Sequence, residues 1–148
     1  MTQTYKYSIV YFLAFSMLLV GSGVMLFEQK IGFSTNAIVA YYLGDEDKFI
    51  VAKSSTGILK IVLPHLFAFG LFAMVILHFL IFTKYKDTKQ IKILIYILFT
   101  SAFLEVFSPF FIILGAEFFS YIKITSFIVL ESLIIYISWL LLNSIMNN

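Results

Sequence analysis

Two histidines and two glutamates are the residues of this chain whose types and positions could do chemistry inside a membrane. His65 and His78 lie in one uninterrupted apolar stretch, Gly57–Thr83, and Glu105 and Glu131 lie in two later apolar stretches. Ionisable residues inside a membrane span are rare and indicate function by default. Imidazoles bind haem iron and transition metals, and an imidazole beside carboxylates can hold a metal ion or relay a proton.

Transmembrane helices are the elements that must position these residues. Hydrophobic residues make up 61% of the chain and charged residues 12%, and the mean hydropathy is +1.01; a soluble domain needs far more charge. The apolar residues form four blocks, each longer than the roughly 20 residues a helix needs to cross a bilayer, and none alternates like a barrel strand. The sequence predicts one transmembrane domain, residues 1–148, folded as an all-α integral membrane four-helix bundle with spans Tyr7–Phe27, Gly57–Thr83, Ile91–Leu114 and Phe118–Met146.

Lysines orient the bundle. Half of the ten lysines crowd the connection between the second and third spans or precede the first span: Lys6, Lys84, Lys86, Lys89 and Lys92. The positive-inside rule then predicts that both termini are cytoplasmic and that the loop at residues 28–56 lies outside. Lys123 is interpreted as a lysine that flanks the other outer loop, between the third and fourth spans. The net charge of +2 reflects these orienting lysines, so no nucleic-acid partner is expected.

The outer loop contains a short predicted helix. Ser34 is a suitable N-cap for Thr35–Leu43, and Gly44 is a suitable residue to end that helix. The helix places Ile38 and two tyrosines towards one side, which suits the headgroup region. Two interpretations remain open, a helix lying on the membrane and a lid or docking surface for a partner.

Haem binding is the leading functional hypothesis. His65 and His78 are thirteen positions apart, a rise of about 20 Å that suits one b-type haem near each leaflet. They are also about 140° apart around a straight helix, so a common face requires a bulge near Gly70. The chain has no other histidine, so the second axial ligands would come from a homodimer or a larger membrane complex. Electron transfer would be the activity.

Proton or metal handling is the alternative. His65 and Glu105 both lie about 12–14 Å below the outer ends of their spans, and Glu131 lies near the middle of the fourth. A His65–Glu105–Glu131 cluster would bind a transition metal or relay protons.

The neighbours of Glu105 indicate a buried polar face. Ser101, Glu105 and Ser108 have i, i+4, i+7 spacing and form one stripe, and Pro109 would free a main-chain carbonyl nearby. A purely structural interpretation also stands, in which serines and a neutral glutamate hydrogen-bond between helices.

Other chemistry is disfavoured. The chain has no cysteine, which removes disulfides and thiolate ligands. It also shows no nucleophile motif and no glycine-rich phosphate loop. A self-contained enzyme is therefore not expected, and a non-catalytic accessory subunit is a third hypothesis.

Short motifs carry a family resemblance. Lys30–Ser34 (KIGFS), Tyr41–Gly44 (YYLG) and Pro64–Phe67 (PHLF), followed by His78, resemble a group of small uncharacterised proteobacterial four-helix inner-membrane proteins. The resemblance covers roughly the first two spans and the loop between them. It implies a multi-pass location in the bacterial inner membrane and brings no established activity.

Overall fold

The described part of the chain forms five helices. The computed structural model describes residues 3–83, 85–86 and 88–146, and Lys84, one of the lysines used for orientation, lies outside the described residues. The helices are α1 (Gln3–Lys30), α2 (Thr35–Leu43), α3 (Ser55–Leu80), α4 (Lys89–Ile113) and α5 (Phe119–Met146). All but α2 are long and apolar enough to cross a membrane. The predicted all-α membrane bundle, with a short helix in its first loop, is confirmed.

Capping residues set the bounds of α2. The Ser34 hydroxyl accepts a hydrogen bond from the Ala37 N–H (3.1 Å), as an N-cap does. Gly44 ends the helix with φ +91°, and a Cβ there would lie 2.9 Å from the Ile50 carbonyl oxygen. Only glycine fits this left-handed, crowded position. Both predicted ends of α2 are confirmed.

Two buried apolar clusters show that the four long helices alternate in direction. At one end, called the lysine end because it carries Lys6, Lys86, Lys89 and Lys92, the start of α1 packs with the ends of α3 and α5 and the start of α4. At the other end, called the α2 end, the opposite termini of these helices pack with α2. Representative members of the second cluster are Phe27, Ile38, Ile58, Ile112 and Phe127.

Helix α2 packs onto the bundle. Ile38 is fully buried and Tyr42 is 2% exposed, and both belong to the apolar cluster that α3, α4 and α5 also build. Their apolar bodies are therefore covered by protein. This geometry favours the lid interpretation of the outer loop over a helix lying apart on the membrane.

Helix α3 packs mainly on α4 and is the least buried of the four spans. It approaches α1 through aromatic rings, with Phe12 5.5 Å from Phe72 and 5.2 Å from Phe79, and Tyr5 5.8 Å from Phe82. Long side chains thus separate the two backbones. Residues 63–68 of α3 are all exposed, so a broad face of this helix points away from the rest of the bundle.

Candidate functional site

A buried ion pair joins α4 to α5. The Lys123 ammonium donates hydrogen bonds to the Glu105 carboxylate and to the Glu105 main-chain carbonyl, the latter at 2.9 Å. Lys123 is 4% exposed and Glu105 is 7% exposed. Removing two charges from water is costly unless they pair and their remaining polar atoms are hydrogen-bonded. Here the two charges pair, and the ammonium also bonds to the main chain, so the structure replaces the expected neutral, protonated glutamate with an ion pair.

Pro109 explains the second hydrogen bond of the lysine. A residue four positions after Glu105 would normally donate its N–H to the Glu105 carbonyl, and proline has no N–H to donate. Lys123 takes that place, and the Ser108 hydroxyl donates to the same oxygen at 3.3 Å. The predicted free carbonyl near Glu105 is confirmed.

Helix α2 and α1 cover the ion pair from the α2 end. The Phe27 ring centroid lies 6.0 Å from the Lys123 ammonium nitrogen. Burial raises the pKa of the Tyr42 hydroxyl, and the negative charge of Glu105 raises this pKa further. The hydroxyl therefore stays protonated close to the carboxylate.

The serines near Glu105 line the same buried face. Ser101 and Ser108 are buried together with Glu105, as the stripe predicted. The Ser101 hydroxyl donates to the Ile97 carbonyl at 2.8 Å. Each serine hydroxyl thus bonds within its own helix, and neither crosses to a neighbouring helix as the purely structural interpretation supposed.

Glu131 lies in a different environment. Its Oε2 is buried and has no hydrogen-bond partner among the described residues. Its Oε1 lies beside α1, where a Cβ built on Gly23 would be 3.3 Å away. The side chain is half-buried at the seam between α1 and α5. The glycine provides the space that this carboxyl occupies.

His65 points away from both carboxylates. It lies on the exposed face of α3, and its Nδ1–H donates to the Ile61 carbonyl at 2.7 Å. That bond makes Nδ1 the protonated nitrogen of the neutral ring and leaves Nε2 as the acceptor. Its ring also contacts Phe69, with centroids 5.9 Å apart.

His78 is likewise exposed, one turn before Phe82, whose ring centroid is 5.8 Å from its own. The two histidines therefore do not form a common site in one chain. Within residues 3–83, 85–86 and 88–146, no three His, Asp or Glu side chains lie close enough together to hold a metal ion. The predicted ligands His65, Glu105 and Glu131 are accordingly not assembled into a metal centre within a single chain.

Lys123 is the site residue that sequence reasoning missed. The charge pattern assigned it to the flank of an outer connection, whereas the structure places it inside α5. A usable signal was present, because α4 and α5 are joined by a short turn. In an antiparallel hairpin, residues equally distant from the turn lie opposite each other, and Glu105 and Lys123 are each nine positions from Leu114, the first residue after α4.

Comparison with known proteins gives a match to a protein family. A sequence profile described as a transmembrane helical domain matches residues 32–148, from the residues before α2 to the C-terminus. The matched segment includes the third and fourth spans and leaves out the first, unlike the range expected from the short motifs. No curated protein and no solved structure matches the chain significantly.

Proposed function

This chain belongs to the Aq_1264_TM family of transmembrane helical domains, and we propose that this multi-pass membrane protein handles protons through Glu131. One observation carries the proposal. Glu131 lies near the middle of a membrane-spanning helix, and neither of its carboxyl oxygens has a hydrogen bond within the described residues. Unpaired carboxyl groups at such depth are costly and are found where protons or ions are handled.

The contrast with Glu105 supports this choice of residue. Lys123 holds the Glu105 carboxylate in a fixed pair, and protonating Glu105 would leave a buried ammonium without its counter-ion. Glu131 has no such fixed partner, so its carboxyl is available to accept and release a proton.

Proton uptake into liposomes tests the proposal. The reconstituted protein is given a membrane potential by potassium and valinomycin, and a trapped pH-sensitive dye reports proton entry. We expect entry above that of protein-free liposomes, its loss in Glu131→Gln, and its retention in Ser132→Ala, an exposed neighbour. Wild-type entry equal to that of protein-free liposomes would overturn the proposal, as would equal rates in wild type and Glu131→Gln.

Haem binding between two copies is a second candidate, and the His65 geometry favours it. Histidines that ligate metals usually donate their other ring N–H to a carbonyl or carboxylate, as His65 does to Ile61. Its Nε2 is then directed outward from α3. One chain supplies one ligand at this level, so His65 of two copies would hold the iron. Absorption spectra of protein expressed with added haem test it: a Soret band lost in His65→Ala supports the candidate, and a colourless wild type refutes it.

The proposed orientation in the membrane rests on the distribution of lysines. Lys86, Lys89 and Lys92 at the lysine end support a cytoplasmic position for that end by the positive-inside rule. We propose that α2 then lies outside, and that the membrane is a bacterial inner membrane. A cysteine introduced at Phe49, which is 94% exposed, would then react with an impermeant thiol reagent added to intact cells stripped of their outer membrane.

A further inference from the structure

We propose that copies of this chain associate in the membrane with α3 of one copy against the α1–α5 seam of the next, so that His65 meets Glu131. The seam is defined by Ser22, Gly23 and Glu131. This inference rests on the proposed function, because it names the group that shares the Glu131 proton. It also brings together, between two copies, residues that one chain keeps apart.

The Nε2 atom of His65 and the Glu131 carboxyl each lack a hydrogen-bond partner within the described part of the chain, and lipid cannot provide one. The Nε2 of His65 faces outward from α3 with no partner among the described residues, and the Glu131 carboxyl is half-buried without a hydrogen bond. Hydrocarbon supplies no donors or acceptors, so polar groups in spans pair with one another. An imidazole acceptor and a carboxyl are complementary in this respect.

The two groups lie at the same depth. Tyr5 meets Phe82, and Phe12 meets both Phe72 and Phe79, so moving along α1 corresponds to moving back along α3. Gly23 is eleven residues beyond Phe12, which brings it level with His65 on α3. Because the Glu131 carboxyl lies beside Gly23, Glu131 and His65 share one level of the bundle.

The shape of the seam permits a close approach. Gly23 has no side chain, and its neighbour Ser22 is small and exposed. On α3, Ala68 is exposed one turn from His65 on the same face. Small residues on both surfaces let helix backbones pack closely in membranes.

One proton suffices for the contact. With Nδ1–H bonded to Ile61, a protonated Glu131 donates its O–H to Nε2, or a protonated Nε2–H donates to the carboxylate. The same proton lies between the two atoms in either form, and no other reactant is needed. The contact is heterologous, since each copy uses α3 on one side and the seam on the other, so copies form a ring or a longer row.

Cysteine cross-linking tests the arrangement, because the chain has no cysteine of its own. Ala68 and Ile135 are exposed and lie one turn towards the lysine end from His65 and Glu131, respectively. Ala68→Cys and Ile135→Cys chains with different tags are reconstituted together and oxidised with copper phenanthroline. We expect a disulfide between the two different chains, and little between identical ones.

Substitutions at the contact provide the controls. His65→Ala and Glu131→Gln should each lower the cross-linking yield by about tenfold, the order expected for one interhelical hydrogen bond. His78→Ala, at an exposed α3 histidine of another depth, should leave the yield unchanged. The exchanged pair His65→Glu with Glu131→His should restore it, which separates a specific contact from a general loss of folding.

Two results would overturn the contact. Disulfides only between two Ala68→Cys chains would show a symmetric α3 pair, as the haem candidate requires. Glu131-dependent proton entry in a protein that neither cross-links nor associates would show that the proposed function holds without the contact. Conversely, cross-linking that depends on both residues, without proton entry, would confirm the contact and refute the proposed function.

Discussion

Glu105 and Glu131 are the same residue type in neighbouring spans, and their surroundings differ in almost every respect. Glu105 lies at the α4–α5 interface, under α2, with a lysine on its carboxylate and on its main-chain carbonyl. Glu131 lies at the α1–α5 seam, where glycine gives it space and no hydrogen bond. The Glu105 carboxylate therefore holds two helices together, whereas the Glu131 carboxyl is available to exchange a proton.

The comparison also shows how the chain divides its intramembrane polarity. Around Glu105, each buried polar group that the sequence predicted has a hydrogen bond, including the carbonyl freed by Pro109. Near the middle of α5, Glu131 Oε2 and the Ser138 hydroxyl are the buried side-chain polar atoms without partners in the described part of the chain. Stability and proton exchange are thus assigned to two sites about two turns apart along α5.

Replacing Lys123 with methionine should have the largest effect. The Glu105 carboxylate would remain buried without a counter-ion, and breaking such a pair costs about 3–5 kcal/mol. Glu131→Gln should cost less than about 0.5 kcal/mol because it removes no hydrogen bond. Reversible unfolding by sodium dodecyl sulfate in mixed micelles measures both. The double variant Lys123→Met with Glu105→Gln should regain much of the loss, and equal effects of the two single variants would break the comparison.

Replacing Ile38 with alanine should expose one carboxylate and not the other. Ile38 is fully buried between α2 and the bundle, and truncating a buried isoleucine costs about 2–5 kcal/mol. Helix α2 should then exchange its amide hydrogens faster, as should the part of α4 around Glu105. Hydrogen exchange followed by mass spectrometry reports this. Peptides around Glu131 should not change, and parallel acceleration there would show that α2 covers both sites.

Two glycines of α1 provide a matched test of the seam. Alanine is favoured over glycine inside a helix by about 1 kcal/mol, and Gly21→Ala should gain most of this because its new Cβ meets nothing. In Gly23→Ala the Cβ would press on Glu131 Oε1 at 3.3 Å, which should offset the gain and slow proton entry. Thermal unfolding and the liposome assay measure the two quantities. Identical behaviour of the two variants would show that Gly23 does not position Glu131.

The smallest effect is expected outside the spans. The hydrogen bond from Lys48 lowers the pKa of the Asp45 carboxyl in the turn after α2. This contribution to stability is present at neutral pH and is lost as the pH falls below the ordinary value of 3.8, through the lowered pKa. Asp45→Asn should remove that pH dependence without changing proton entry, as seen by thermal unfolding between neutral pH and pH 3. A change in proton entry in Asp45→Asn would show that the exposed turn affects the environment of Glu131.

Much of the fold followed from the sequence because its signals are local. Span length, the Ser34 cap and Gly44 each depend on residues close together in the chain, and the structure confirms the helices they predict. The buried stripe at Glu105 was also predictable, because i, i+4, i+7 spacing fixes a common face.

The face that each helix turns towards the bundle was harder to predict. Helix α3 is apolar on all sides, so its pattern gives no indication of which face turns inward, and His65 proves to be on the outer face. The partner of Glu105 depends on the register of α4 against α5, which charge counting does not address. Lys123 was therefore assigned to the wrong environment.

The short turn between α4 and α5 has a consequence for how the chain enters the membrane. Only residues 114–118 separate the two helices, so Lys123 and Glu105 can meet while the hairpin is still forming. A paired lysine and glutamate cross the hydrocarbon boundary at far lower cost than the two charges separately. We therefore expect α4 and α5 to insert as one unit, with the ion pair already formed, and α1 and α3 to assemble around that hairpin afterwards.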